Sequence, residues 1–164
     1  MGFFEITLIV AAFLCSLVAG FLFAFAVVIM PGINKLDDRA FIRAFQVMDG
    51  IIQKNQPLFI LVWAGSVVVL IVSSALGIGQ LDNIGNGLII ISALIYIIGV
   101  QLPTGIINIP LNKMLQSVDV DAMDAAGHKA ARESFEPRWN RWNNIRTVLA
   151  CLVSVLLILL VFRI

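Results

Sequence analysis

The sequence predicts that residues 1–164 form one all-α membrane domain, in which four transmembrane helices make a compact bundle. Composition is the first observation behind this prediction, since 60% of the residues are hydrophobic and only 13% are charged. That charged share is about half of what an ordinary soluble domain carries. The mean hydropathy of +1.01 excludes a soluble enzyme and a disordered chain. A net charge of +1 excludes a nucleic-acid binder.

The number of membrane crossings follows from four long apolar stretches. They cover roughly residues 3–30, 57–76, 88–109 and 147–162, and only Glu5 places a charge in any of them. A helical crossing needs about 20 apolar residues, whereas barrel strands alternate polar and apolar residues. We therefore predict four helical spans. The first is expected to be a retained span and not a signal peptide, because it lacks a basic start and its apolar run is too long.

Positive charges predict the orientation of the chain. The first connection holds four Lys and Arg residues, the third holds six and the second holds none. Basic loops stay on the cytoplasmic side of a membrane. We expect the first and third connections in the cytoplasm of a multi-pass inner-membrane protein, with both termini and the loop 77–86 outside.

The first connection predicts an amphipathic helix. Apolar residues recur there at helical spacing while polar ones take the other faces: Phe41, Phe45, Met48 and Ile52 against Arg39, Arg43, Gln46 and Gln53. Asp37 and Asp38 offer N-cap oxygens, Pro31 is expected to close the first span, and Pro57 suits the first turn of the second. Two positions are open for this helix: in the cytoplasmic membrane interface, or packed on the protein's own loops.

The long third connection predicts a cytoplasmic helix over residues 122–134, followed by a second helix start at Pro137. Three helix-start residues precede the first of these: Ser117, Asp119 and Asp121. The fourth helix is then expected to begin near Pro137, one to two turns before the membrane. This places Trp139 and Trp142 at the interface that indoles prefer.

A ladder of small residues marks the first span: Ala12, Ser16, Gly20 and Ala24. Such a ladder allows a neighbouring backbone to approach closely. The neighbour is either another span of this chain, which we expect, or a second protomer.

Two polar stripes predict the functional site. Each spans about 80° of arc on its helix: Gln101, Thr104, Asn108 and Asn112 on the third span, and Trp139, Trp142, Asn143 and Arg146 on the fourth. Polar groups at membrane depth face other helices or a wet cavity, so we expect both stripes to line one pocket at the cytoplasmic ends of these helices. The alternatives are plain hydrogen bonds between helices for the first stripe, and an aromatic belt with a snorkelling arginine for the second.

Arg146 is the deepest residue of the second stripe. A guanidinium there is suited to hold a carboxylate, phenolate or quinone oxygen, and two indoles beside it are suited to sandwich an aromatic ring. On the third span, Pro103 and Pro110 each remove a backbone hydrogen bond, so this helix is expected to bend.

Residues 108–112 and 139–146 also carry a family resemblance. Their sequences, NIPLN and WNRWNNIR, resemble the N-x-P-x-N and W-x-x-x-[NH]-x-x-R motifs of the DUF1772, or anthrone oxygenase-like, membrane family. The four-span layout is similar over nearly the whole chain. Characterised members of that family resemble cofactor-free oxygenases that convert a polycyclic anthrone to an anthraquinone with molecular oxygen. The resemblance implies a pocket made by Asn108, Asn112, Trp139, Asn143 and Arg146.

Oxidising an anthrone without a metal requires a base that deprotonates the activated carbon. Some relatives carry histidine where this chain has Asn143, and an amide is not a base at ordinary pH. The single histidine, His128, is expected at the solvent-exposed surface, as are Glu133 and Glu136. The sequence therefore predicts a pocket without indicating which residue is its base.

No metal or other cofactor is expected. One histidine cannot supply bis-histidine haem ligation, and no Glu-x-x-His pair is present for a di-iron bundle. Cys15 and Cys151 lie in apolar runs without a C-x-x-C motif, which favours two small buried hydrophobes over dithiol chemistry.

Three functions remain open at the level of sequence. The first is binding or oxidation of a flat hydrophobic aromatic, anthrone-like or quinone-like. The second is an accessory subunit of a larger membrane complex, and the third is a small-molecule transporter, which usually needs an ionisable group within its spans. The partners expected are the lipid bilayer, a hydrophobic aromatic small molecule and a membrane-protein partner or second copy, but no nucleic acid.

Overall fold

The computed structural model describes residues 2–164, and these residues form five helices joined by short turns. The helices are α1 (Phe3–Ile33), α2 (Asp38–Gln53), α3 (Pro57–Gly77), α4 (Asn83–Gln116) and α5 (Ala125–Arg163). Four of them, α1, α3, α4 and α5, are long and apolar enough to cross a membrane. The predicted all-α, four-span bundle is therefore confirmed, and the protein is a multi-pass membrane protein.

The spanning helices pack as a ring in chain order. α1 packs along α3 and α5, and α4 packs against α5 and more lightly against α3. Apolar side chains such as Leu8, Leu70 and Leu157 fill the space between them. The outer surface is apolar too, as exposed Phe13 and Val148 illustrate, and so large an apolar surface is stable against lipid rather than water.

Prolines interrupt α1 and α4 without ending them. Pro31 lies inside α1 and Pro110 inside α4, so the expectation that Pro31 closes the first span is wrong. Three π-helical turns lie on the N-terminal side of the prolines: Phe25–Ile29, Ile95–Gln101 and Thr104–Asn108. A π turn changes which carbonyl each N–H reaches, and this allows a helix to continue through a residue that has no N–H.

The fourth spanning helix, α5, is one continuous helix. The predicted start near Pro137 is wrong, because the helix begins after Asp124, whose side chain accepts a hydrogen bond from Gly127 N at 2.8 Å. Pro137 lies on the exposed face, where it removes one backbone hydrogen bond. On the buried face, Phe135 and Trp139 hold the turns on either side of it against α2.

The amphipathic helix α2 packs on the protein's own fourth and fifth helices. Phe41 and Phe45 are fully buried, and the Phe45 ring centroid lies 4.6 Å from that of Phe135. Asp37 caps α2 as predicted, accepting a hydrogen bond from Ala40 N at 2.8 Å. Of the two positions open at the level of sequence, the structure shows the second, in which protein covers the apolar face of the helix.

The small-residue ladder of α1 is buried in the core only at Ala12. Ala12 is buried, but Gly20 is exposed, and a β-carbon placed there would meet nothing within 4 Å. Each four-residue step advances about 40° beyond a full turn, so the ladder rotates away from the core. Ala11 and Ala19 lie on the close-packed side instead.

Candidate functional site

A cavity of about 150 Å³ lies where the first and third connections meet the bundle. All five helices contribute to its lining: Phe21, Leu22, Phe25, Phe45, Asp49, Ile52, Phe59, Trp63, Thr104, Asn108, Ile109, Asn112, Trp139, Asn143 and Arg146. The lining runs from fully buried side chains to Ile109, which is 42% exposed. The cavity therefore reaches the outer surface of the bundle.

Six of the eight site residues predicted from the sequence line this cavity. Thr104, Asn108 and Asn112 face it from α4, and Trp139, Asn143 and Arg146 face it from α5. The two polar stripes thus come together in one place, as their spacing predicts. They do so because α4 and α5 are neighbours whose polar faces meet in the interior.

Gln101 and Trp142 lie outside the cavity lining. The Gln101 side chain accepts a hydrogen bond from Trp63 Nε1 at 2.8 Å, and Trp142 packs at the edge of the apolar cluster beneath α2. Trp63, from α3, provides the second indole of the cavity in place of Trp142. Trp63 was not predicted from the sequence because it lies in an apolar span without charged residues, whose few polar side chains are serines.

Flat aromatic rings form much of the cavity wall. Phe59 and Trp63 stack with centroids 5.3 Å apart and planes 23° from parallel. On the other side, the Trp139 ring lies 5.7 Å from Phe25 and 5.5 Å from Phe45. Such walls favour a flat apolar ligand, since ring faces gain both apolar burial and stacking energy.

Arg146 is buried among neutral groups. It is 3% exposed, and it donates hydrogen bonds to Thr104 Oγ1 at 2.8 Å and to Asn143 Oδ1 at 3.1 Å. Within residues 2–164, no carboxylate lies within salt-bridge distance of it. A buried cation without a counter-charge is costly, so this end of the cavity favours an anionic or strongly polar oxygen.

Asn108 leaves a buried hydrogen-bond acceptor open in the same wall. Its Nδ2 donates weakly to the Trp139 carbonyl at 3.4 Å, whereas its Oδ1 has no partner among the described residues. An unsatisfied buried acceptor costs about 1–3 kcal/mol. A ligand hydroxyl that donates to this oxygen would remove that cost.

Asp49 is a cavity residue that was not predicted from the sequence. It is 4% exposed and accepts hydrogen bonds from three amides: Asn112 Nδ2 at 2.7 Å, Gln53 Nε2 at 2.6 Å and Gln116 Nε2 at 3.1 Å. A signal for it was present. Asp49 lies four residues after Phe45 and three before Ile52, so a carboxylate stands on the apolar face of an amphipathic helix.

Asn112 connects Asp49 to the tryptophan of the second stripe. Its Oδ1 accepts a hydrogen bond from Trp139 Nε1 at 2.7 Å while its Nδ2 donates to Asp49. Both polar atoms of this amide are therefore used, which fixes its orientation. The chain Trp139, Asn112, Asp49 ties α5, α4 and α2 together along one wall.

The acid and base candidates named from the sequence lie elsewhere. His128 is buried and not exposed as expected, because residues 117–124 fold over the start of α5 and His128 Nε2 donates to the Val120 carbonyl at 2.8 Å. Glu136 is also not a freely solvated charge, since it pairs with Arg132 at 2.7 Å. Glu133 is exposed as expected. None of the three lines the cavity.

Metal-ligating side chains do not cluster in the part of the chain that the structure describes. No three His, Cys, Asp or Glu residues there are grouped closely enough to hold a metal ion. Among the described residues, the polar groups of the cavity lining are instead amides, indole N–H groups, one hydroxyl, one carboxylate and one guanidinium.

Comparison with known proteins places most of the cavity lining in a family region, outside which lie Phe21, Leu22 and Phe25. A family model described as anthrone oxygenase matches residues 45–156, about two thirds of the chain. That region contains every polar residue of the cavity wall, from Asp49 to Arg146. No curated protein and no solved structure matches the chain. The chain belongs to the anthrone oxygenase family.

Proposed function

We propose that the cavity binds a flat, hydroxylated aromatic of the anthrone class and oxidises it to the quinone with molecular oxygen. The observation that carries this proposal is the Arg146 guanidinium, which is buried in the cavity lining and, among the described residues, has only neutral partners. Membership of the anthrone oxygenase family names the class of reaction.

The substrate supplies the electrons, so the reaction needs no redox cofactor. Removing a proton from the methylene carbon of an anthrone moves negative charge onto the oxygen of its carbonyl group and makes the central ring aromatic. The electron-rich anion then reduces oxygen. The balance is one anthrone plus one O2 giving one anthraquinone plus one water: the methylene carbon loses four electrons and O2 gains them.

Arg146 is placed to stabilise the charge that develops on the substrate oxygen. A fixed, buried donor that faces a developing oxyanion stabilises the transition state more than it would in water, because no solvent must reorganise. The open acceptor Asn108 Oδ1 then takes a hydrogen bond from a hydroxyl beside that carbonyl. Together the two groups select a phenolic anthrone over an unsubstituted aromatic hydrocarbon.

The surrounding membrane is the natural source of such a substrate. Ile109, which is exposed, and Phe59, which is half-buried, form the edge of the cavity towards the outer surface. We propose that an apolar substrate enters there from the bilayer. We also propose the orientation given by the basic connections, with the cavity on the cytoplasmic side of the inner membrane and both termini outside.

Native mass spectrometry of the protein in mild detergent tests this proposal, with a hydroxylated anthraquinone added as a stable product probe. We expect one quinone bound to the wild-type protein and none bound to Arg146→Gln. The matched control is Arg141→Gln, which removes an exposed arginine of the same helix and is expected to retain the quinone. Equal binding to all three proteins would contradict the proposal.

The same preparations distinguish the proposed function from the two alternatives, an accessory subunit and a transporter. A stoichiometric protein partner with no bound quinone would identify an accessory subunit. Movement of a phenolic aromatic across proteoliposomes without consumption of oxygen would identify a transporter. Oxygen consumption that depends on added anthrone and is lost in Arg146→Gln is the result we expect.

A further inference from the structure

We infer that Asp49 is the proton acceptor of the proposed oxidation, an assignment that rests on the proposed function and supplies its missing base. Of the residues that the structure describes in the cavity lining, Asp49 is the one carboxylate. Carboxylates are common general bases, whereas the amides around it cannot accept a proton. A base must also reach the substrate, and a position in the cavity wall meets that requirement.

Asp49 and Arg146 lie towards opposite ends of the cavity. Asp49 is bonded to Asn112 and Arg146 to Thr104, and those two residues are eight positions apart on α4. Eight steps along this helix, half of them through the π turn Thr104–Asn108, extend on the order of 10 Å. A flat tricyclic substrate between them presents its carbonyl oxygen to the guanidinium and its methylene carbon, across the ring, towards the carboxylate.

The hydrogen bonds of Asp49 leave room for one proton. A carboxylate has about four acceptor positions. Two on Oδ2 are taken by Gln53 and Gln116, and one on Oδ1 is taken by Asn112. The remaining position is on Oδ1. The three amides hold the carboxylate still, which keeps that open position in place.

No cation competes for the carboxylate. Across residues 2–164, Lys, Arg and His side chains all lie beyond salt-bridge distance of Asp49. By contrast, Glu136 is engaged by Arg132 and by Asn34. Among the described residues, Asp49 is therefore a buried carboxylate that is hydrogen-bonded but takes part in no ion pair.

The proton and electron steps balance with Asp49 in this role. Its carboxylate takes one methylene proton, the C–H electron pair stays on the substrate, and the anion gives one electron to O2. The resulting pair combines through a new C–O bond, and Asp49 returns its proton to the terminal oxygen. The regenerated Asp49 carboxylate then takes the second methylene proton, and the C–H electron pair forms the C=O bond while the O–O bond breaks. The departing hydroxide takes that proton from Asp49 and becomes water.

Anaerobic deuterium exchange tests the assignment without requiring oxidation. An anthrone with hydroxyls beside its carbonyl, deuterated at the methylene carbon, is incubated with the protein in detergent without oxygen, and deuterium loss is followed by mass spectrometry. After subtraction of the rate without protein, we expect Asp49→Asn to lower exchange by at least about a hundredfold. Binding of the corresponding anthraquinone should be kept.

Glu133→Gln is the matched control, since it neutralises an exposed carboxylate outside the cavity, and it should exchange like the wild type. Equal exchange by Asp49→Asn and the wild type would overturn the assignment alone and leave the proposed function standing. Loss of quinone binding in both Asp49→Asn and Asp49→Glu would overturn it in favour of a structural role. A wild-type protein that neither binds the quinone nor exchanges deuterium would overturn the proposed function, and the assignment with it.

Discussion

Arg132 and Arg146 lie on the same helix in opposite electrostatic surroundings. Arg132 pairs with Glu136 at 2.7 Å and Asp38 at 3.0 Å, and it also donates to two backbone carbonyls, of Asn34 and Leu36. Its guanidinium carbon lies 4.3 Å from the centroid of the Phe41 ring. Among residues 2–164, neither a carboxylate nor the face of an aromatic ring is paired with Arg146, which bonds only to neutral oxygens.

The difference separates a structural arginine from a binding one. Arg132 joins α5 to α2 and to the turn after α1, and all of its strong partners come from the chain. Arg146 is more deeply buried, yet its charge is not neutralised by the protein. Proteins retain such unfavourable groups where function needs them. This is why the cavity is the candidate site, and not the Arg132 cluster formed by Arg132, Glu136 and Asp38.

The largest effect is expected from breaking the Arg132 cluster. Arg132→Gln leaves Glu136 and Asp38 without their cation, so the free energy of unfolding should fall by about 2–3 kcal/mol. Unfolding by SDS in mixed micelles, followed by tryptophan fluorescence, measures this change.

Arg146→Gln provides the opposite result in the same assay. Removing a buried cation that has no counter-charge should leave stability unchanged or raise it, although ligand binding is lost. If both substitutions destabilised the protein equally, Arg146 would be a structural arginine like Arg132, and the contrast between them would disappear.

Pro137 lies between the two arginines on α5. We expect that replacing it stiffens the helix that separates them. It is exposed and interior to the helix, so Pro137→Ala restores one backbone hydrogen bond without disturbing the core. We expect stability to rise by about 1–2 kcal/mol, which is less than the full helix-propensity difference. A lower midpoint in the same SDS titration would show that the proline fits its site better than alanine.

Trp139 connects the cavity wall to Asp49 through Asn112. Trp139→Phe keeps the ring packing but removes the indole donor, leaving Asn112 Oδ1 without its 2.7 Å partner. We expect a loss of about 1 kcal/mol in unfolding free energy, smaller than that of Arg132→Gln. Unchanged stability together with unchanged deuterium exchange would show that this bond does not hold the wall.

The smallest effect is expected at Asp121, an exposed carboxylate that pairs with Arg39 and Arg43 of α2. Hydrogen bonds from Arg43 and then Arg39 hold the pKa of Asp121 below its ordinary value. Its contribution to stability is therefore present above about pH 4 and is lost as the pH falls through the lowered value. Because salt screens exposed charges, Asp121→Asn should hardly change Tm at neutral pH, and any difference should vanish in acid; a large shift would contradict this.

Much of the architecture was predictable because membrane helices carry their signal locally. Residue composition and run length give the four spans, since each helix satisfies its own backbone in lipid. The spacing of Thr104, Asn108 and Asn112 gives one stripe, and that of Asn143 and Arg146 gives the other. These predictions depend only on distances along one helix.

Two of the errors arise from packing that the local helix pattern does not contain. The start of α5 was placed near Pro137, whereas packing of Phe135 and Trp139 on α2 keeps the helix continuous through it. His128 was expected to be exposed, whereas the turn before α5 covers it. The local sequence around a proline or a single histidine does not indicate which other residues of the chain pack against it.

By itself, the sequence determined the spans, the two polar stripes and the family resemblance. Only the tertiary structure brought Asp49 and Trp63 into the same cavity as Arg146, because those three residues come from three helices. Only the tertiary structure also distinguished Arg132 from Arg146. The charge of an arginine follows from its side chain, whereas whether that charge is neutralised depends on which helices pack around it.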